Sequence, residues 1–143
     1  MSNVENARSC RRLLAAPGAL DAAGDRHVRV RIKVQGGRIF FATAGERCVG
    51  CGALIPLKDG EFEVAKMAVE PFHQRAGIGR KLLQTAIKEA RNAGAQRLYL
   101  ETNYALTPAI RLYESLGFKH IEADRIIPSP YERADVYMEL ILP

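Results

Sequence analysis

The chain has no tryptophan, and its 143 residues include only five phenylalanines, five tyrosines, three cysteines and three histidines. Each shortage excludes something. Three cysteines cannot build the disulfide framework on which small secreted domains depend. Cys48-Val49-Gly50-Cys51 has C-x-x-C spacing, but Cys10, His27, His73 and His120 supply no second close pair to complete a four-ligand set, so no metal is expected. The surroundings of that pair read as strand, where positions i and i+3 face opposite sides. Its two sulfurs are therefore expected to point apart, as small buried apolar side chains. No apolar run approaches the roughly 20 residues that span a bilayer, and residues 1–10 lack the apolar stretch of a secretory signal. A membrane partner is not expected, and with no address visible the expected location is cytoplasmic.

What is present describes one compact domain with a real core. Hydrophobic residues make up 48% and charged residues 26%, ordinary values for a globular chain. The net charge of +5 is unevenly placed. Arg8, Arg11, Arg12, Arg26, Arg29, Arg31, Lys33 and Arg38 face only Glu5, Asp21 and Asp25, while the rest of the chain is balanced. A basic arm can attract nucleic acid. No aromatic residue is interleaved before Phe40, however, so a solvated lead-in is the expectation and nucleic acid is not an expected partner.

Along the chain, residues 38–42, 48–57 and 61–69 read as strands separated by turn residues, with Lys58-Asp59-Gly60 as a hairpin turn. From Ile78 the period changes. Ile78, Leu82, Leu83, Ala86, Ile87 and Ala90 recur at helical spacing, and Gly94 stops the helix. Residues 97–101 read as a short buried strand. Thr107 as cap, Pro108 at the first helical position and Gly117 as terminator frame a second helix. Residues 118–121 and 135–142 complete the chain as strands. The order β-β-β-α-β-α-β-β indicates an α/β fold, a mixed sheet with helices packed on it.

Gly77 and Gly79 stand where a strand turns abruptly into a helix. Lacking Cβ atoms, they let backbone amides approach an anion, and the helix adds its unsatisfied N–H groups and positive dipole end. A triphosphate-binding loop would need Gly-Lys-Ser/Thr, and Gly79 is followed by Arg80-Lys81-Leu82. A dinucleotide site would need a third glycine, where Leu82 stands.

Gln74-Arg75-Ala76-Gly77-Ile78-Gly79 resembles the Q/R-x-x-G-x-G/A signature of the GNAT superfamily of N-acetyltransferases. Downstream, Leu100-Glu101-Thr102-Asn103 and Pro108-Ala109-Ile110-Arg111-Leu112-Tyr113-Glu114-Ser115-Leu116-Gly117-Phe118 are similar to that family's second CoA-facing element. The resemblance implies the GNAT fold: a mixed, mostly antiparallel central sheet with flanking helices and a splayed strand pair at the CoA cleft. It implies acetyl-CoA as cosubstrate without metal, and transfer of acetyl to the primary amine of a small-molecule or amino-acid-like acceptor by direct attack.

Residue by residue, the resemblance implies that the backbone of Met67, Ala68 and Val69 holds the pantetheine arm. Gln74, Arg75, Ala76, Gly77, Ile78, Gly79 and Arg80 hold the pyrophosphate, and Asn103 contacts the CoA arm. Tyr113 protonates the departing thiolate, and Glu63 aligns with the glutamate that some members use as general base. Tyr131 and Arg133 lie in the loop facing the acceptor, where Arg133 can pair with a carboxylate. Dimers are common in the family, so a homodimer is implied.

Residues 1–37 depart from the family pattern and are expected as an atypical basic segment before an acetyltransferase core over 38–143. Within them Val28-Arg29-Val30-Arg31-Ile32-Lys33-Val34 alternates strictly, as a first strand or an edge strand would. This departure leaves a second reading open: a non-catalytic acyl-CoA-binding or interaction module on the same fold.

Overall fold

The computed structural model describes residues 26–143 except Gln35, Gly45, Glu46, Arg75 and Tyr131, with backbone only for residues 26–34 and Phe72. Four strands come first: β1 (Arg26–Val34), β2 (Gly37–Ala44), β3 (Arg47–Pro56) and β4 (Glu61–Val69). Helix α1 (Ile78–Asn92), strand β5 (Arg97–Thr102) and helix α2 (Thr107–Ser115) follow. The chain closes with β6 (Lys119–His120) and β7 (Val136–Ile141). The strands form one seven-stranded sheet in the order β1-β2-β3-β4-β5-β7-β6. Every neighbouring pair is antiparallel except β4 and β5, because α1 carries the chain from one to the other as a crossover.

The alternating stretch at Val28 forms β1, an edge strand paired with β2 through Val30 and Phe40. Helix α1 forms as its spacing predicts, with Ile78, Leu82, Leu83, Ala86, Ile87 and Ala90 all buried. It stops at Gly94, whose φ of 76° suits a residue without Cβ. These side chains pack with Phe40, Val49, Leu54, Val64, Leu98, Leu100 and Met138 into the main core. Burying a leucine such as Leu82 contributes about 2 kcal/mol. Gly50 lets α1 press onto β3: a Cβ there would stand 3.1 Å from both the Ala68 carbonyl and Leu82 Cδ1.

Three expectations need correction. Thr107 does not cap α2; Leu106 is the cap residue and Thr107 is already helical. The chain instead enters this helix through a turn closed by Asn103, whose carbonyl accepts from the Leu106 N–H at 2.9 Å. The predicted strand over 118–121 shrinks to two residues because only Lys119 and His120 pair with β7. The Cys48 and Cys51 sulfurs do not point apart, since both residues join one small cluster with Phe41 and Ala68. The register between β2 and β3 slips between Ala42 and Thr43, leaving Val49 as an extra residue that resets the alternation. Burial pushes the Cys51 thiol up to about 11, which makes it a poor nucleophile or ligand.

A second bulge matters more for the site. Gly52 of β3 is opposed by two residues of β4, Lys66 and Met67, and Lys66 adopts φ 56°. Phe62 and Val64 point into the main core before the bulge. After it Met67 and Val69 do so, while Ala68 turns to the opposite face.

Candidate functional site

Strands β4 and β5 pair only at Glu61–Arg97, Phe62–Leu98 and Glu63–Tyr99. Beyond that point β4 stays with β3 as far as Val69, and β5 stays with β7 as far as Thr102. The two strands therefore part, and the fork opens on the segment that contains the bulge. A fork in a sheet leaves backbone N–H and C=O groups on its inner edges without a ladder partner, ready for an extended polar ligand.

At the end of β4 the chain passes through a short 3-10 turn (Pro71–His73) into the glycine segment. Gln74 donates from Nε2 to the Val69 carbonyl at 3.2 Å, which ties the turn to the strand it leaves. Gly77 is the N-cap of α1, with φ 79°. No side chain caps the helix and its first turn carries no acidic residue. The amides of Ile78, Gly79 and Arg80 have no intrahelical acceptor, and among the described residues nothing stands within 4 Å of where a Gly77 Cβ would be. This is an open helix N-terminus whose electrostatics favour an anion.

The two glycines do different work. Gly77 supplies the left-handed turn. Gly79 lets α2 approach, since a Cβ there would lie 3.4 Å from Leu112 Cδ2. Arg80 reinforces the contact by donating to Ser115 Oγ at 2.9 Å. Helix α2 thus stands beside the anion-facing turn. Arg75 and Tyr131 lie outside the described residues.

Tyr113, on α2, is 8% exposed and packs against Phe118 with ring centroids 5.9 Å apart. Among the described residues its hydroxyl has no hydrogen-bond partner, and the oxygen is not fully enclosed. Burial pushes its pKa upward, so the phenol keeps its proton. Glu63 is half-buried at the point of the fork and, among the described residues, makes no hydrogen bond or ion pair. Burial, then the charge of Glu101, raises its pKa, while Lys66 opposes them. An unpaired carboxyl with raised affinity for a proton is suited to proton transfer.

Asn103 is occupied locally. Its Nδ2 donates to the Arg133 carbonyl and its Oδ1 accepts from the Ala105 N–H, each at 2.9 Å. This brings the loop carrying Arg133, itself exposed, against the end of β5. Tyr137 anchors the same loop, accepting from the Ser129 N–H at 3.2 Å and donating to the Ala134 carbonyl at 3.3 Å.

Tyr99, Glu101 and Tyr137 were missing from the set of residues expected at the site. Residues 97–101 read as a buried strand, whereas only Leu98 and Leu100 of β5 are buried. The alternate positions carry Arg97, Tyr99 and Glu101 on the opposite face. The signal was the i, i+2 spacing of Tyr99 and Glu101, which gains meaning only from the parallel register that sets Tyr99 beside Glu63.

A forked mixed sheet and an uncapped glycine-led helix start are the marks of an acyltransferase of the CoA-dependent kind. The sequence profile of the acetyltransferase (GNAT) family matches residues 9–118. An N-acetyltransferase of Bacillus subtilis, YsnE, is 36% identical over 114 residues, covering 77% of this chain and 72% of its own length. An IAA acetyltransferase of Azospirillum brasilense is 40% identical over 95 residues, 66% of this chain and 60% of the relative. Among solved structures, a Bacillus subtilis acetyltransferase in complex with CoA superposes with a TM-score of 0.68 at 18% identity, over 83% of this chain and all of that one. The chain belongs to the GNAT acetyltransferase family.

Proposed function

We propose that the chain transfers the acetyl group of acetyl-CoA to the primary amine of a small-molecule or amino-acid-like acceptor, by direct attack in a ternary complex. The observation that carries this reading is the parting of β4 and β5 immediately after Glu63 and Tyr99, beside a helix start with no cap. The residues fit the cosubstrate. The first-turn amides of α1 and the open space at Gly77 suit a pyrophosphate, with Gln74, Ala76, Ile78, Gly79 and Arg80 completing the turn and Arg75 proposed as a further pyrophosphate-binding residue. Met67, Ala68 and Val69, past the bulge, suit an amide-bearing arm laid along the fork, and Asn103 closes the loop at its other side.

Acetyl-CoA, when bound, supplies an acyl carbon activated by its thioester. Glu63 takes one proton from the ammonium so that the neutral amine can attack, and the second N–H proton, lost as the C–N bond forms, restores Tyr113 after it has given its own proton away. Tyr113 gives its proton to the sulfur as the C–S bond breaks, so the amide and a neutral thiol leave together. Tyr131 and Arg133 are proposed to line the acceptor side, and the proposed protomer association is a homodimer. The test is release of CoA thiol from acetyl-CoA, followed colorimetrically across a panel of amines, alongside calorimetry of CoA binding. Amine-dependent thiol release supports the reading. CoA binding without turnover on any amine would favour a non-catalytic module, and no binding near millimolar CoA removes both.

A further inference from the structure

Glu63 and Tyr99 are the last paired residues before the strands part, and the acceptor must reach the acyl carbon there on the reading above. From β5 come Tyr99 and Glu101, two residues apart on one face, and Tyr99 donates its hydroxyl to Glu101 Oε1 at 2.8 Å. From β7 comes Tyr137, directly opposite Glu101 in the antiparallel register. From β4 come Glu63 and, past it, Lys66, whose side chain is exposed. Among the described residues, two further cations on this face are already taken up: Arg97 is bound to Glu61 at 3.2 Å and to Glu139 at 2.7 Å, and Arg125 is bound to Glu139 at 2.8 Å, while Lys119 lies opposite Glu139 at the sheet edge. Arg97 sits one step from Tyr99 on the same face. Its guanidinium also lies 5.4 Å from the centre of the Tyr99 ring.

Glu101 has a fixed position because Tyr99 holds it, and Tyr99 is itself held by the sheet on both sides. Glu63 has no such partner. The two carboxylates therefore have different tasks, one free to exchange a proton and one held in place as a charge.

We propose that Glu101, positioned by Tyr99, is the specificity-determining counter-charge that selects acceptors entering as ammonium ions with no carboxylate beside the nitrogen. The proposal rests on the acetyltransferase reading. A carboxylate attached to the same carbon as the amine would be brought against two like charges, which costs affinity. The Tyr137 ring, held through its hydroxyl, offers an aromatic wall of the kind that ammonium groups favour. Both a free small amine and the α-amine of a peptide meet this description. Glu101 has a second consequence: its charge contributes to the raised proton affinity of Glu63, along with burial.

Matched acceptor pairs test the proposal. Tyramine against tyrosine probes the small-amine source, and alanine amide against alanine probes the peptide-terminus source. The partner without the carboxylate is expected to have a kcat/KM higher by about tenfold or more, a discrimination equal to one power of ten in binding. Glu101→Gln should bring that ratio toward one and move the acidic limb of the kcat/KM profile to lower pH, since a like charge beside Glu63 has gone. Glu101→Asp should restore part of the ratio. Tyr99→Phe, which keeps the ring and frees Glu101, should reduce the ratio while leaving the acetyl-CoA KM unchanged. Equal rates on both members of each pair, or a ratio that survives Glu101→Gln in a folded protein, overturns the proposal. Failure of the underlying reading has a different signature: no amine of any kind gives thiol release with the native protein, and the proposal falls with it.

Discussion

Replacing Tyr113 by phenylalanine removes one oxygen and nothing else, and the structure predicts two responses of very different size. The ring is buried against Phe118, and its contacts survive the change. The hydroxyl donates to no group among the described residues, so the change costs no hydrogen bond there and orphans no buried acceptor. Thermal stability should therefore change by less than about 0.5 kcal/mol. The first turn of α1 is untouched, and acetyl-CoA affinity should stay within about threefold of the native value. Turnover should behave otherwise. A positioned general acid is worth about 10²- to 10⁴-fold, so kcat should fall by at least about 100-fold. Because burial raises the Tyr113 pKa above 10.0, the native enzyme should hold this acid protonated throughout the neutral range. Thiol release at saturating acetyl-CoA, calorimetric binding and a thermal melt on the same preparation separate the three quantities. A kcat within about threefold of native, with stability and binding preserved, would falsify the assignment of Tyr113 as the acid.

Glu63→Gln should lower kcat/KM by about 100-fold and flatten its acidic limb. In the native protein that limb lies above 4.5, because the folded pKa is raised; a limb unmoved by the substitution points to another base. Gly77→Ala places a side chain at φ 79° and should cost about 1 kcal/mol of stability through strain alone, as the new methyl meets no neighbour. It should also weaken acetyl-CoA binding, and a lowered Tm with an unchanged Kd would separate the turn from the anion site. Glu139 accepts from Arg97 and Arg125. The hydrogen bond from Arg125 is the main cause that holds its pKa below 4.5, and Arg97 adds to it. A depressed carboxylate stabilises the fold at pH above its unfolded value and loses that contribution as pH falls through the folded one. Native protein should therefore lose Tm progressively below about pH 4.5, whereas Glu139→Gln should start from a lower Tm and show a shallower acid dependence. Parallel acid profiles for the two proteins would show that Glu139 is not the linked group.

Much of the architecture was written locally. Helix α1 was legible because six apolar residues recur at 3.6-residue spacing and a glycine follows them, so period and terminator agree without any tertiary input. The turn at Gly77 was legible for a similar reason: a glycine between strand and helix patterns has few conformational explanations. The motif around Tyr113 carried the family, and with it the cosubstrate.

What depends on neighbours was invisible. The expectation of alternation failed at two places, Val49 and Lys66, because a bulge is decided by how one strand registers against another. The first brings Cys48 and Cys51 together; the second turns Met67 and Val69 into the core and lies in the segment where β4 and β5 part. Thr107 has the chemistry of a cap, yet Asn103 closes the entry to its helix because the loop is tied to Arg133, thirty residues away in the chain. The Tyr99–Glu101 pair was hidden for the same reason. Its side chains look like ordinary strand residues until a parallel register, made possible only by the crossover through α1, sets them beside Glu63. The sequence by itself determined the elements and the open glycine turn at the start of α1. Only the tertiary structure decided which charges gather at the fork, because that depends on strands far apart in the chain being brought into register.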